Sequence, residues 1–226
     1  MSKSFTKVLR STCVAGLTVL LLSTARSQIN SEELLNRTVT FQTQRACLVY
    51  VVGKLATDWD VPIGMEKAIG HKDECRISID VKSATVRDLL SLIAQQEPAY
   101  TWEYVDGVIN VIPTRDRNEF LSSFLQLHFD RILYPKGNDD DSYSLRKRIL
   151  DLPEVTQLMK SRRVRVAGLL YSEPSRGTVL LTENQNLSCL NVTVRQYLNF
   201  VIANSKRRTW IIDMVGEKND ELLLGL

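Results

Sequence analysis

The chain has 226 residues, of which 44% are hydrophobic, and a formal net charge of +3. Residues 1–27 hold four of the 29 basic residues and none of the 26 acidic ones, so the remainder has 25 basic against 26 acidic side chains. This balance excludes the strongly basic surface typical of nucleic-acid-binding proteins, and the apolar content excludes wholesale disorder.

Residues 1–27 have the three parts of a secretory signal peptide: a basic start, an apolar run at Cys13–Leu22 and small residues up to Ser27. The apolar run of about ten residues is too short for a membrane-spanning helix, which needs roughly twenty. We predict export with cleavage after Ser27, although cleavage after Ala25 also satisfies the small-residue rule, and no transmembrane segment after cleavage. The alternative is an uncleaved N-terminal anchor.

Three cysteines follow the leader: Cys47, Cys75 and Cys189. An exported protein meets an oxidising compartment, where one pair can form a disulfide and leave one thiol free. Cys47 and Cys75 fall in the same half of the chain and are the favoured pair. The alternative is that all three are small buried side chains.

The first half of the chain predicts two helices and five strands. Apolar residues spaced as on one helical face indicate the helices, and alternating or β-branched runs indicate the strands. Asp106-Gly107 is a strong signal for a two-residue hairpin turn. The predicted elements, in the order β-α-β-β-α-β-β, are Thr38–Gln42, Arg45–Trp59, Pro62–Met65, Arg76–Val81, Thr85–Gln96, Tyr100–Val105 and Val108–Ile112.

Two runs of this half carry a recognisable pattern: VTFQTQRACLVYVVGKLATDWDVPIG and RISIDVKSATVRDLLSLIAQQEPAYTWEYVDGVINVIP. The second combines an alternating strand, a small-residue turn, a helix with paired leucines and an aromatic-containing hairpin. Over residues 36–115 this pattern resembles the short N-terminal domain shared by secretins and TonB-dependent receptors. The sequence to Leu226 has no counterpart of the ring-forming region or the transmembrane barrel of those proteins, so we expect the chain not to be the channel itself.

The second half is less regular. An amphipathic pattern predicts one helix over Asn118–Leu133, and an acidic loop follows at Lys136–Ser144. The remaining predicted elements are helices at Leu145–Leu150 and Glu154–Lys160, a hairpin of Arg163–Leu170 with Gly177–Thr182, a strand at Leu187–Val192, a helix at Thr193–Asn204, and strands at Trp210–Met214 and Glu221–Leu224.

Thr85–Trp102 and Thr193–Trp210 align without a gap at an offset of 108 residues. Both stretches open with a capping-box pattern, Thr85 with Asp88 and Thr193 with Gln196, and both end in Thr-Trp. We therefore predict an α+β fold of two small modules, residues 36–115 and 116–226, in which the second is a divergent copy of the first with inserted helices. The repeat also predicts that Trp102 and Trp210 occupy similar surroundings.

Residues suited to catalysis or metal binding are few. His71 lies in the polar run HKDEC, which lacks the spaced ligand pairs of a zinc site, and His128 lies in the predicted helix beside Phe129. The acidic run Asn138–Asp141 lacks the ligand spacing of a calcium loop. Because nucleophile motifs and phosphate-binding glycine loops are also missing from the sequence, we predict no enzyme activity, no catalytic or metal residues and no cofactor.

Arginines are the candidate interaction residues. Arg87 and Arg195 occupy the same position in the repeated helices, one residue past the predicted cap region, where we expect exposed side chains. Arg162, Arg163 and Arg165 form a basic cluster that, together with the cluster Lys206–Arg208, would suit an anionic partner if the two shared one face.

These features predict an exported module, periplasmic or associated with the cell envelope, that recognises a protein partner or another copy of itself. The resemblance implies the setting, a bacterial cell-envelope assembly. Pairing of an exposed sheet edge or docking of a helix face is the predicted mode of contact. The alternatives are a small secreted metal-dependent hydrolase that uses His71 or His128, and a binder of an anionic envelope polymer.

Overall fold

The structure of the chain, a computed structural model, describes residues 31–70, 74–133, 142–167 and 188–226. Within these residues helices and strands both occur, and the sheets contain parallel and antiparallel neighbours, so the predicted α+β class is confirmed. The predictions for the leader, His71, the run Asn138–Asp141 and most of the hairpin at 163–182 lie outside the described residues.

The first repeat, residues 31–113, begins with a short helix that precedes the seven predicted elements. Its elements are α1 (Ser31–Asn36), β1 (Thr38–Ala46), α2 (Leu48–Trp59), β2 (Ile63–Glu66), β3 (Ile77–Thr85), α3 (Val86–Gln96), β4 (Tyr100–Val105) and β5 (Val108–Pro113). Helix α2 starts three residues later than the sequence pattern suggests, because Arg45 and Ala46 continue β1 and Ala46 pairs with Ile77. Asp106 and Gly107 have φ values of 54° and 80°, the positive values that a tight hairpin turn of this kind requires.

The second repeat, residues 119–225, contains nine described elements. They are α4 (Glu119–Gln126), β6 (His128–Leu133), α5 (Ser142–Leu150), α6 (Pro153–Arg162), β7 (Arg165–Val166), β8 (Ser188–Thr193), α7 (Val194–Asn204), β9 (Thr209–Val215) and β10 (Glu221–Gly225). The prediction of one helix over Asn118–Leu133 is wrong. The helix ends at Gln126, and the following residues form β6 because they pair antiparallel with β8, from His128–Thr193 to Leu133–Ser188.

The two repeats share one local plan. Helices α3 and α7 are both 11 residues long and begin 108 residues apart, at Val86 and Val194. In each repeat the strand that leads into this helix pairs with an earlier strand, β1 with β3 and β6 with β8. The N–H of Val86 donates to the carbonyl of Arg37, and the N–H of Val194 donates to the carbonyl of Leu127, both at 3.0 Å. In the second repeat two helices, α5 and α6, follow β6, whereas in the first repeat one helix, α2, follows β1.

One six-stranded sheet joins the repeats, in the order β4-β5-β2-β9-β10-β7. Each repeat contributes three adjacent strands in the same left-to-right order, and the parallel pair β2–β9 is the junction between them. Strand β5 of the first repeat runs in the same direction as β2 and β9. Its equivalent in the second repeat, β10, runs in the opposite direction, antiparallel to β9. The second repeat is therefore turned over relative to the first.

The two tryptophans of the repeat consequently lie on opposite faces of this sheet. Trp102 pairs with Val111, Val111 with Met65, and Met65 with Ile211, so these four residues share one face. Trp210 precedes Ile211 and lies on the other face. The core of the first repeat covers one face and the core of the second covers the other. The first core is built from residues up to Val111 and the second mainly from Phe120 onwards with Val108, while the sheet contains strands of both repeats.

A disulfide joins Cys47, at the start of α2, to Cys75, just before β3. These are the two cysteines that the sequence favours as a pair. Cys189 on β8 is a buried free thiol, and its burial raises its pKa.

Candidate interaction site

The junction between β2 and β9 is built around a glycine beside a tryptophan. Gly64 is the direct neighbour of Trp210 across the parallel pair. A Cβ atom added to Gly64 would lie 2.1 Å from Cε2 of Trp210, far inside van der Waals contact. Trp210 is fully buried. The close approach of strand and indole thus requires glycine at this position.

Helix α7 completes the surroundings of Trp210. The indole Nε1–H donates to Oδ1 of Asn199 at 2.9 Å, and both side chains are fully buried. The guanidinium of Arg195 lies 5.8 Å from the centre of the indole ring, within the range of a cation–π contact. Trp210 is therefore in contact with Gly64, with the amide of Asn199 and with the guanidinium of Arg195.

Glu66, two residues after Gly64, is the ionic centre of the junction. Its carboxylate is fully buried and accepts hydrogen bonds from Arg195 at 2.9 Å and from Arg117 at 3.0 Å. The bond to Glu66 raises the pKa of Arg117. A buried carboxylate requires such partners, because its desolvation is costly when it is unpaired. Because Glu66 is enclosed by the two guanidinium groups, it links β2 to α7 and is not accessible to a substrate.

The expectation that Arg195 is exposed is wrong. Its side chain is only 11% exposed, because β2 of the first repeat passes over the first turn of α7 and brings Glu66 to it. Two further ion pairs cross the same junction, Lys67 with Asp213 at 3.0 Å and Asp60 with Arg208. Charge and shape together fix β2 beside β9.

The same positions of the first repeat lie at an edge. Arg87, Ser91 and Trp102 are the equivalents of Arg195, Asn199 and Trp210, and all three are half-buried. Within the described ranges β4 has one neighbouring strand, β5, so no strand covers Trp102 as β2 covers Trp210. We call Arg87, Ser91 and Trp102, with the outer backbone edge of β4, the edge site.

The expectation of similar surroundings for the two tryptophans is also wrong. The helix-then-strand unit is the same, but β9 lies inside the sheet whereas β4 is the last strand of the sheet that the described residues form. At the edge site Arg87 donates to Glu32 of α1 at 3.2 Å, and the Ser91 hydroxyl donates to the carbonyl of Arg87 at 2.9 Å, so both bonds stay within the first repeat. The side chain of Arg87 is 42% exposed, so its ion pair is a surface pair of small energetic worth.

The predicted basic cluster lies at the other end of the sheet. Arg162 and Arg163 are exposed at the end of α6, and Arg165 is exposed in β7. Arg165 pairs with Asp220 and Glu221, each at 3.1 Å, so its charge is compensated. Arg162 and Arg163 are the members of the cluster that remain for an anionic partner.

The second basic cluster is engaged within the fold. Arg207 donates to the carbonyl of Leu226, and Arg208 donates to the last carbonyls of α7 in addition to its pair with Asp60. Lys206 is exposed. Arg207 and Arg208 therefore make structural contacts within the fold.

Of the two histidines, His128 lies among the described residues. His128 begins β6 and is exposed, in a strand and not in the predicted helix, while His71 lies outside the described residues. In the part of the chain that the structure describes, no group of three His, Cys, Asp or Glu side chains is placed to hold a metal ion. None of the described helices has the length and apolar character needed to cross a membrane.

Sequence reasoning did not single out Gly64, Glu66, Arg117 or Asn199. One signal was present: an identical arginine follows the cap in both repeats, and one of the two, Arg195, is the residue that binds Glu66. A glycine followed two residues later by an acid in a short apolar strand was the matching signal in β2.

No family model, curated protein or solved structure matches the chain.

Proposed function

We propose that the chain is an exported, non-enzymatic protein of a bacterial cell-envelope assembly, and that it recognises a protein partner by accepting a strand at the edge site. The setting rests on the leader and on the resemblance of residues 36–115 to the short N-terminal domain of secretins and TonB-dependent receptors. The mode of recognition rests on the fold.

The observation that carries the proposal is the pair β4 and β9. Each follows the equivalent helix of its own repeat, α3 or α7, and β9 pairs with β2 along the edge that β4 presents at the end of the described sheet. Main-chain hydrogen bonds along such an edge supply affinity without a catalytic or metal-binding side chain. A recognition protein of this kind needs no polar constellation in its sequence.

The backbone of Trp102 is oriented for this contact. The two-residue turn makes Val105–Val108 a hydrogen-bonded pair, and pairs along the β4–β5 hairpin alternate between bonded and non-bonded. Trp102–Val111 is then a non-bonded pair, so the N–H and C=O of Trp102 point away from β5. An added strand would bond to these groups.

The test is capture of partners from envelope extracts by the purified chain, together with sedimentation analysis of self-association. The informative variant is Trp102→Pro, because it removes the outward N–H from an edge position where proline is tolerated. Trp102→Ala separates the loss of the indole from the loss of the N–H, and circular dichroism establishes that each variant is folded.

We expect a specific partner, or self-association, that Trp102→Pro abolishes. The matched control is the triple variant of Arg162, Arg163 and Arg165 to Ala at the opposite end of the sheet, which should leave binding unchanged. Binding that survives Trp102→Pro, but falls in the triple variant and weakens steeply with salt, would favour the anionic-polymer alternative. Absence of both a partner and self-association would contradict the proposal.

A further inference from the structure

The internal junction between β2 and β9 indicates which features a strand bound at the edge site should have. Strand β2 runs parallel to β9, and its ends are fixed by the N–H of Ile63 donating to the carbonyl of Arg208 at 2.8 Å and the N–H of Lys67 donating to Ile212 at 2.9 Å. Between these bonds, Gly64 lies beside the tryptophan and Glu66 reaches the arginine. Direction, glycine and carboxylate are the three features that β9 and α7 recognise.

The edge site offers equivalents for two of these three features. Trp102 stands at the position of Trp210, half-buried on the core face of β4, and Arg87 stands at the position of Arg195. Helices α3 and α7 have the same length and the same capping threonine position, and α3 contacts β4 as α7 contacts β9. If the Trp102 indole lies against a docked strand as Trp210 lies against β2, a side chain larger than hydrogen at the facing position would clash with it, as a Cβ on Gly64 would clash with Trp210.

Arg87 can exchange its present partner at little cost. Its bond to Glu32 joins two exposed side chains, and such pairs contribute roughly 0–1 kcal/mol. A carboxylate brought in by a docked strand would be partly desolvated by that strand, which strengthens its attraction to the guanidinium. Arg195 shows the outcome, a short bond to a buried carboxylate.

We infer that the edge site binds an extended segment of a partner protein that runs parallel to β4, places a glycine beside Trp102 and carries an acidic residue two positions later for Arg87. The inference rests on the proposed function and specifies its partner. Apolar residues on either side of the glycine, as in the Ile-Gly-Met-Glu run of β2, complete the pattern.

The probe is a synthetic peptide of residues 60–68, DVPIGMEKA, because β2 itself lies inside the sheet and is engaged on both sides. Binding to the intact chain is measured by fluorescence anisotropy of the labelled peptide. Three altered peptides separate the features: Gly64→Leu for the close approach, Glu66→Gln for the charge, and the reversed sequence AKEMGIPVD for strand direction.

We expect the unaltered peptide to bind, and the Gly64→Leu and reversed peptides to bind at least tenfold more weakly, a difference of about 1.4 kcal/mol. The Glu66→Gln peptide should lose several-fold in affinity for the wild-type chain. In the Arg87→Gln chain the acidic peptide should lose the same factor, and the Gln peptide should lose nothing further. Arg165→Gln, at the opposite end of the sheet, is the control and should change nothing.

Several results would overturn the inference. These are undetectable binding of the unaltered peptide, equal binding of the Gly64→Leu or reversed peptide, and insensitivity to Arg87→Gln. So would self-association through β4 that the peptide does not compete with, since a second copy of the chain would then be the occupant. If capture of a partner still depends on the N–H of Trp102 in any of these cases, the proposed function stands and only the partner specification fails.

Discussion

Trp210 and Trp102 occupy the same position in two versions of one structural unit, and their surroundings differ. Trp210 is fully buried between β2 and α7, while Trp102 is half-buried at the end of the sheet. The repeated sequence determines how the helix packs on the strand that follows it. The place of that strand in the sheet determines what else covers it.

The difference teaches how one repeat can serve two purposes. In the second repeat the arginine, the tryptophan and the strand edge are used to hold the molecule together. In the first repeat the same positions lie at the end of the sheet that the described residues form, and we propose that a partner strand binds there. An internal junction of this kind is therefore a guide to external recognition, because both use the same backbone geometry and the same charges.

The largest effect should come from truncating the two tryptophans. We expect Trp210→Ala to lower the free energy of unfolding by about 3–5 kcal/mol, since a fully buried indole leaves a cavity and Asn199 loses its donor. Trp102→Ala should cost roughly half of that or less, because its indole already contacts solvent. Urea denaturation of both variants measures the two losses. Equal losses would contradict the difference in surroundings.

The disulfide is the next largest expected contribution. It links residues 28 apart in the first repeat, and a loop of that length predicts about 3.5 kcal/mol of stabilisation in the chain-entropy model. Replacing Cys47 and Cys75 by Ser should therefore lower the unfolding free energy by about that amount. Native-state hydrogen exchange should show faster opening of α2 and β3 than of α7.

The control for the disulfide is Cys189→Ala, which removes one buried sulfur and should cost only about 1 kcal/mol. If reduction of the disulfide opens both repeats equally, the sheet couples the two cores into a single unit and the repeats do not respond separately.

The glycine beside Trp210 should show an intermediate effect. Gly64→Ala is expected to cost about 1–3 kcal/mol, because the strand or the indole must move to admit the methyl group. The matched control is Gly53→Ala in α2, where no atom lies within 4 Å of the added Cβ and alanine should stabilise the helix by roughly 0.5–1 kcal/mol. Thermal denaturation of both single variants gives the sign of each effect.

A double variant sharpens this test. In the Trp210→Ala background the cost of Gly64→Ala should largely vanish, because the atoms that the new methyl group meets are gone. A cost that persists would place the strain in the backbone of β2 and not in the contact with the indole.

Local signals in the sequence predicted the parts of the fold that depend on neighbouring residues. The apolar spacing of α3 and α7, their capping threonines and the Asp106-Gly107 turn all act within a few residues of one another. Strand β6 was missed for the opposite reason. Its apolar residues also fit one side of a helix, and only pairing with β8, some 60 residues later in the chain, makes it a strand.

The edge site and the junction were out of reach for the same reason. Glu66 and Arg195 are 129 residues apart, and nothing local to either predicts that they meet. The turned-over relation of the repeats, which places Trp102 and Trp210 on opposite faces, also follows from the parallel pairing of β2 with β9 alone. The sequence shows that the two repeated stretches are equivalent, but it does not show that the surroundings of their tryptophans differ.

The smallest effect concerns the caps of the two repeated helices. In α7 the capping box is complete: the Thr193 hydroxyl accepts from the N–H of Gln196, and the Gln196 side chain accepts from the N–H of Thr193 at 2.9 Å. In α3 the Thr85 hydroxyl accepts from the N–H of Asp88, but the Asp88 carboxylate accepts from the Thr85 hydroxyl instead. Aspartate is one methylene shorter than the residues that usually reach back to the cap.

We therefore expect Asp88→Glu to raise the unfolding free energy by a few tenths of a kcal/mol, since the longer side chain can complete the box. Gln196→Asn, which shortens the side chain by the same methylene, should lower it by a similar amount. Thr85→Ala and Thr193→Ala remove the cap itself and should each cost about 1 kcal/mol. Urea denaturation resolves these differences when the four variants are measured side by side. Opposite signs for Asp88→Glu and Gln196→Asn would establish that the two helix starts differ by the length of one side chain, independently of what covers the tryptophans.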